Sequence, residues 1–185
     1  AAVQADVSVY ADACRIADAA AELGGIDILV NNAGVYVRRL AVDFPPEEWE
    51  RVIRVNLTGA FFMTRAVLPA MIAAKRGAII NISSIDGLTG DEKVSAHVAS
   101  KFGLIGLTEC LAKELREHNI AVNAICPGAI GKDGPASAQG LKGLVPPQAV
   151  AKLAVFLAAQ DPPVLTGAAL PIFGGTDTKV VLHNS

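Results

Sequence analysis

The chain has 185 residues, and its 16 basic against 18 acidic side chains give a formal net charge of −2. This length fits one domain, and a composition with 52% apolar and 18% charged residues excludes a disordered or linker-like chain. The near-neutral charge balance argues against a dedicated nucleic-acid binder and against a polybasic membrane anchor.

The predicted elements alternate between helices and strands along the chain. A helix is predicted over residues 10–23, and a buried strand follows at residues 26–30. The long apolar segment 46–75 begins with proline and two glutamates, which is typical of a helix N-terminus, and we expect Pro69 to kink or break it. Further strands are predicted at 78–82, 120–126 and 168–173, and further helices at 95–118 and 147–159.

The predicted strands are rich in apolar residues and show no alternation, as expected when both faces of a parallel strand are covered. Strands that alternate with helices predict an α/β fold, with helices on both faces of a parallel sheet. We assign residues 1–185 to a single domain. The segment 131–147 is rich in Gly and Pro, and it is either a lid over a ligand site or an ordinary connection.

Polar and turn-forming residues come directly after three of the predicted strands. They are Asn31, Asn32 and Gly34 after the first strand, Ser83 and Ser84 after the second, and Pro127 and Gly128 after the third. His97 and Lys101 lie four positions apart on a predicted helix and therefore share one face. Each feature alone is typical of a turn or a helix cap. Their joint placement at one edge of a parallel sheet predicts a binding site there.

At these residues the sequence resembles the short-chain dehydrogenases/reductases. The motifs that carry the resemblance are NNAG at 31–34, VNLTG around Asn56, ISS at 82–84, SK at 100–101 and NAICPG at 123–128. They occur in the order and spacing of the family, and the resemblance runs from about residue 6 to residue 175. It implies a Rossmann-type, doubly wound parallel sheet that binds NAD or NADP. It also implies hydride transfer between the nicotinamide and a small-molecule alcohol or carbonyl substrate.

The resemblance also assigns roles by position. In the family, a serine polarises the substrate oxygen, a lysine binds the nicotinamide ribose, and an asparagine on a long helix holds a water of the proton relay. These positions correspond to Ser84, Lys101 and Asn56. The positions that contact the cofactor in the family correspond to Asp6, Val7, Asn32, Ala33, Gly34, Lys101, Pro127, Gly128 and Ile130.

The catalytic tyrosine of the family's YxxxK motif is replaced here by His97. The two tyrosines of the chain, Tyr10 and Tyr36, are not expected near this helix. An imidazole can move protons, but Lys101 one turn away disfavours its charged form by like-charge repulsion. A neutral imidazole accepts a proton, which suits alcohol oxidation better than carbonyl reduction. His97 is therefore either the acid–base residue or a histidine of the cleft without a catalytic duty.

No GxxxGxG or GxGxxG motif occurs in the chain, although the family begins with a strand, such a glycine-rich loop and a helix. The chain is therefore predicted to be N-terminally truncated relative to the family and to begin around the family's third strand. Loss of the preceding strands would leave the strand at 26–30 as an exposed apolar edge. Three interpretations stay open: an NAD(P)-dependent oxidoreductase, an impaired or inactive member that acts as a binding or scaffold subunit, and an incomplete fragment.

Two further departures concern the substrate side of the predicted site. Lys132 stands where the family places a threonine that binds the carboxamide. Asp86 follows Ser84 by two positions, either as a contact for a hydroxylated substrate or as a solvated turn residue.

The remaining expectations concern partners and location. The three cysteines are far apart, which indicates reduced thiols in a cytoplasmic protein rather than a metal site or a disulfide. No stretch approaches the ~18 apolar residues of a membrane helix, and the first ten residues lack the pattern of a signal peptide. We expect no nucleic-acid or membrane partner, but a homo-oligomer, dimer or tetramer, because helices 46–75 and 95–118 correspond to the family's dimer faces. The sequence leaves open the substrate and the choice between NAD and NADP.

Overall fold

The computed structural model describes residues 1–131, 144–160 and 163–173. Its centre is a sheet of four parallel strands in the order β1-β2-β3-β4. The strands are β1 (Ile28–Asn31), β2 (Gly77–Ile82), β3 (Ile120–Pro127) and β4 (Ala169–Ile172). All four were predicted, with boundaries that differ by at most two residues. The predicted α/β class with a parallel sheet is therefore confirmed.

In the described part of the chain, five α-helices connect and cover these strands. They are α1 (Tyr10–Ala21), α2 (Pro46–Ile53), α3 (Gly59–Ala74), α4 (Ser95–Leu115) and α5 (Pro147–Ala158). The helix α2 begins with Pro46 in its first turn, followed by two glutamates, which favour the positive end of the helix dipole. A five-residue π-helical segment, Arg54–Thr58, joins α2 to α3.

The predicted break at Pro69 is wrong. The helix α3 runs through Pro69 and ends only at Ala74, where Lys75 adopts a left-handed conformation. Val67 and Met71, two positions to either side of Pro69, are buried against the core. We attribute the continuity to this packing, which offsets the one main-chain hydrogen bond that a proline removes. The irregular turn of this long helical run is the π segment around Asn56, which the hydropathy pattern gave no means to predict.

Apolar core clusters cover both faces of the sheet, and two of them contain residues of β2. Successive residues of β2 divide between them, because Ile79 packs into one core and Ile80 into the other. The first core is formed with α1, α3 and α4, and the second with α5. This is the doubly wound arrangement that places a ligand site at the carboxyl ends of the strands.

β1 is the outer strand on one side of the sheet. Ile28 and Val30 are 51% and 45% exposed, so the predicted exposed apolar edge is present in the described structure. Residues 1–9 contain no strand and lead directly into α1, in agreement with the four predicted strands. Ala13 and Ala17, on one side of α1, are buried.

A buried chain of polar side chains runs across the sheet to α4. The amide of Asn31 donates to Asn81 at 2.8 Å, and the amide of Asn81 donates to Thr108 at 2.9 Å. The hydroxyl of Thr108 donates in turn to the carbonyl of Leu104. Because each buried donor has a partner, this chain fixes β1, β2 and α4 relative to one another.

One helical run meets the length and composition of a membrane span, contrary to the sequence expectation. Residues Pro46–Ala74 include an 18-residue window with a mean hydropathy of 1.5. Core helices pass the same test, so the match alone is weak evidence for a membrane span. α3 buries Val67 and Met71 in the core described above.

Candidate active site

Lys101 lies at the centre of the polar residues that follow the strands. Its side chain is almost entirely buried, and Nζ donates to the carbonyl of Ile82 at 2.7 Å, at the end of β2. Burial disfavours the charged ammonium and lowers the pKa of Lys101 to about 8. The hydroxyl of Ser83 donates to the main-chain carbonyl of Lys101 at 3.1 Å and so ties α4 to the end of β2.

Asn56 lies in the π segment and clamps the loop after β1. Its Oδ1 accepts from the Val35 amide at 2.8 Å, and its Nδ2 donates to the Val35 carbonyl at 3.0 Å. The same Nδ2 donates to the hydroxyl of Ser100 at 3.1 Å, which donates to the carbonyl of His97. The side chain of Asn56 therefore joins the loop, the long helical run and α4.

His97 is the third residue of α4, in its first turn, and its side chain is enclosed by neighbours. Its side chain is 12% exposed, and burial, followed by the charge of Lys101, lowers the pKa of His97 to about 4. The Val35 carbonyl acts weakly in the opposite direction. The ring is therefore neutral at physiological pH. Its Nδ1 is buried without a hydrogen-bond partner among the described residues.

Tyr36 packs against His97, which corrects the expectation that neither tyrosine lies near α4. The two ring centroids are 4.9 Å apart, and the rings meet edge to face. The clamp of Asn56 on Val35 positions this contact, because Tyr36 is the next residue of the loop. The other tyrosine, Tyr10, packs instead against Phe62 and beneath Arg65.

Ser84 and Asp86 face this cluster from the short turn after β2. The hydroxyl of Ser84 accepts from the main-chain amide of Asp86 at 3.1 Å and caps a 3₁₀ turn, Ile85–Gly87. Oδ2 of Asp86 lies 3.7 Å from Nε2 of His97, and the Asp86 side chain is only 20% exposed. Burial raises the pKa of Asp86, and the charge of Asp91 adds to the effect. Asp86 is therefore not a solvated turn residue.

An open cleft with a cavity volume of about 110 Å³ runs from the end of β1 toward α1 and α3. Of the predicted cofactor contacts, Val7, Asn32 and Ala33 line it, together with Asn56 and Gly59. A side chain at position 59 would collide with Val7, since its Cβ would lie 2.9 Å from a Val7 methyl group.

Gly34 lies where this cleft meets the polar cluster. A Cβ at Gly34 would lie 3.4 Å from Oδ1 of Asn56 and 3.8 Å from Nζ of Lys101, so the glycine leaves this corner open. Asp6 stands outside the cluster: its side chain is exposed and accepts from the main-chain amide of Ser8 at 2.9 Å.

Pro127, Gly128 and Ile130 follow β3 at the same edge of the sheet. The amide of Gly128 donates to the Ile172 carbonyl of β4, and Ile130 pairs with Val145 in an isolated bridge. Lys132 and most of the predicted lid lie outside the described residues. The structure thus brings Asn56, Ser84, His97 and Lys101 to the ends of the strands, with Gly34 beside them.

The sequence did not predict the roles of three residues in this arrangement. Ser83 and Ser100 lie within the ISS and SK motifs, but the motifs alone do not show that the two hydroxyls hold α4 in place. Tyr36 follows the NNAG motif by two positions, and no spacing rule connects it with His97, 61 residues later in the chain.

Comparison with known proteins points to one family. Residues 1–139 match the sequence model of the family described as short chain dehydrogenase. Trans-4-hydroxycyclohexanecarboxylate dehydrogenase from Sinomonas cyclohexanicum is 40% identical over 180 residues, covering 94% of this chain and 69% of that protein. The 3-oxoacyl-(acyl-carrier-protein) reductase FabG of Thermotoga maritima is 39% identical over 163 residues, covering 82% of this chain and 66% of that protein.

The fold has a similar counterpart among solved structures. A crystal structure described as a short-chain alcohol dehydrogenase, from Sinorhizobium meliloti 1021, superposes with a TM-score of 0.85 at 34% identity. The match covers 94% of this chain and 74% of that one. This chain spans about two thirds of the length of the two curated relatives named above.

Proposed function

This chain belongs to the short-chain dehydrogenase family, and from that premise we propose that it is an NAD(P)-dependent oxidoreductase acting on a small-molecule alcohol or carbonyl compound. The observation that carries the proposal is the buried ammonium of Lys101 beside the open corner at Gly34. Among the described residues it forms no ion pair, so its burial is costly unless a ligand uses the charge.

The residues present fit the nicotinamide and adenine ends of a dinucleotide. Lys101 and Asn56 border the corner at Gly34, and Val7 lines the far part of the cleft where Gly59 leaves room for it. Lys101 would hold the ribose of the nicotinamide half. When bound, the dinucleotide supplies the hydride acceptor for alcohol oxidation or the hydride donor for carbonyl reduction.

The chain's own residues orient the substrate oxygen. Ser84 uses its hydroxyl oxygen to accept from the Asp86 amide, so the hydroxyl hydrogen is free to be donated. Donation to a carbonyl or alkoxide oxygen stabilises the charge that develops there during the reaction. Asn56 acts indirectly on the substrate site, because its hydrogen bonds to Val35 position the loop that carries Tyr36.

The interpretation as a scaffold subunit receives no specific support. Both named relatives carry the names of enzymes, a dehydrogenase and a reductase. The proposal includes a homo-oligomer. Phe61 on α3 and Phe102 on α4 are 40% and 45% exposed, and a second copy of the chain would cover them.

Turnover tests the proposal. Purified chain is mixed with NADH or NADPH and a panel of ketones, or with the oxidised cofactors and alcohols, including cyclic hydroxy acids and 3-hydroxyacyl thioesters. We expect a change in nicotinamide absorbance that Ser84→Ala reduces about 10²-fold or more. Thr89→Ala, which removes an exposed hydroxyl five residues later, is the matched control. The absence of turnover in both the native chain and His97→Tyr would contradict the proposal.

A further inference from the structure

Asp86 and His97 form a carboxylate–imidazole pair at the position of the family's catalytic phenol. Oδ2 of Asp86 and Nε2 of His97 are 3.7 Å apart, and the two side chains are 20% and 12% exposed. The pair joins two elements, because Asp86 lies in the turn after β2 and His97 on α4. Tyr36 covers the imidazole on one side.

The surroundings of the ring determine which nitrogen carries its hydrogen. Nδ1 is buried and has no partner among the described residues, so an N–H there would be an unsatisfied buried donor. The nearby carbonyl of Val35 accepts from Asn56 and makes no hydrogen bond with Nδ1 in the described structure. Nε2 faces a carboxylate, which only accepts hydrogen bonds when it is ionised. Neutral His97 is therefore the tautomer with its hydrogen on Nε2.

In this tautomer the ring cannot take a proton from a substrate in the cleft. Its free lone pair is on Nδ1, which is shut away from solvent, and its accessible nitrogen is already protonated. The group beside Nε2 that can take a proton is the Asp86 carboxylate. Lys101 on α4 and Asp91 near the turn are the other charged groups that act on the pair.

We infer that Asp86 is the general base of this site and that neutral His97 donates a hydrogen bond to the substrate oxygen. In the family, one phenol both moves the proton and donates a hydrogen bond. Here Asp86 would move the proton and His97 would donate the hydrogen bond. The inference rests on the proposed oxidoreductase function and assigns a catalytic residue that the family motif does not contain. His97 donates from Nε2 to the substrate oxygen and keeps its proton throughout, so it stabilises negative charge on that oxygen.

Alcohol oxidation at this site moves one proton and one hydride away from the substrate. The substrate O–H bond breaks, and its proton moves to Oδ2 of Asp86. The carbinol hydrogen leaves with the electron pair of its C–H bond as hydride to the nicotinamide dinucleotide, the oxidant of the proposed function. In carbonyl reduction, protonated Asp86 returns the proton to the oxygen. The raised pKa of Asp86 supports both directions, because it makes the carboxylate a stronger base than an exposed aspartate.

Nitrogen NMR of the cofactor-free chain tests the tautomer without any assay of activity. The chain has three histidines, so His97→Gln identifies the His97 signals by their disappearance. At neutral pH we expect Nε2 to be protonated and Nδ1 bare. Asp86→Leu, which removes the carboxylate, should give a mixture of tautomers. Glu117→Gln, beside the more exposed His118, is the matched control that should leave the His97 signals unchanged. A hydrogen on Nδ1, or a charged ring at neutral pH, would overturn the inference.

The role of Asp86 in turnover is tested by making the same substitution in the native chain and in His97→Tyr. Asp86→Asn should lower alcohol oxidation by about 10²-fold or more in the native chain. In His97→Tyr, where a phenol can move the proton, the same change should cost less than about tenfold. Equal losses in the two backgrounds would show a structural role and overturn the inference. If neither background turns over, the oxidoreductase proposal fails, while the NMR result still decides whether Asp86 holds His97.

Discussion

Two nitrogenous side chains share the candidate site, and burial acts on both in the same direction. It lowers the pKa of His97 to about 4 and that of Lys101 to about 8. Lys101 still carries its charge at neutral pH, whereas His97 does not. The cluster therefore presents one positive charge and one neutral donor, with Asp86 supplying the negative charge.

The suppressed protonation of His97 predicts a pH dependence of stability. In the unfolded chain an imidazole takes up a proton as the pH falls below about 6.5, whereas folded His97 does so only near pH 4. The unfolded state therefore binds more protons in this window, and stability falls as the pH drops from about 6.5 to 4. The shift corresponds to a loss on the order of 3 kcal/mol.

Urea denaturation at a series of pH values measures this dependence. The free energy of unfolding of the native chain should fall more steeply between about pH 6.5 and pH 4 than that of His97→Gln. Carboxylates with lowered pKa values, such as Asp6 and Asp12, act at lower pH and are common to both chains. Parallel curves for the two chains would show that His97 is not held neutral.

At the scale of elements, two buried asparagines join segments in the same way at different places. Asn56 binds the amide and carbonyl of Val35, and Asn123 on β3 binds the amide of Ala168 and the carbonyl of Leu165. Asn56→Ala should destabilise the chain by about 2–4 kcal/mol, because it leaves several buried polar groups without partners.

Hydrogen exchange distinguishes local from general effects of these asparagines. Asn56→Ala should raise exchange at the Val35 amide more than at Ala168, and Asn123→Ala should show the reverse pattern. The same rise at both amides in either variant would contradict a local clamp.

Gly59 permits the close approach of α3 to the segment before α1. A methyl group there would lie 2.9 Å from the Val7 side chain and 3.2 Å from its carbonyl oxygen. Gly59→Ala should therefore cost about 1–3 kcal/mol and weaken cofactor binding at the Val7 end of the cleft. Gly106→Ala on α4, where a Cβ meets nothing within 4 Å, should be neutral or slightly stabilising. Thermal unfolding of both variants checks this pair, and equal losses would refute the contact.

The sequence predicted the elements well where the hydrophobic pattern was strong. Residues 120–126 were assigned to a strand from their apolar run, and the observed strand Ile120–Pro127 is buried along its whole length. The predicted break at Pro69 was wrong, because local propensity opposes a helix there and the packing of Val67 and Met71 prevails. The π segment at Asn56 left no trace in the hydropathy pattern.

At the scale of the whole molecule, most of the site followed from topology. Parallel strands end at one edge of a sheet, so residues after β1 and β2 meet the face of α4 that carries His97 and Lys101. The contact of Tyr36 with His97 could not be predicted, because it depends on side-chain positions in a loop. The same limit applies to Asp86, for which the sequence left two interpretations open.

The proposed function requires that a nicotinamide dinucleotide occupies the cleft beside Lys101. Titration of the cofactor-free chain with NADH and with NADPH, followed by nicotinamide fluorescence, measures this directly. We expect saturable binding of at least one cofactor, weakened about tenfold or more in Lys101→Met and unchanged in Lys113→Met, which alters an exposed lysine of the same helix. No saturable binding by a chain that unfolds cooperatively, or equal affinity in the native chain and Lys101→Met, would contradict the proposed function.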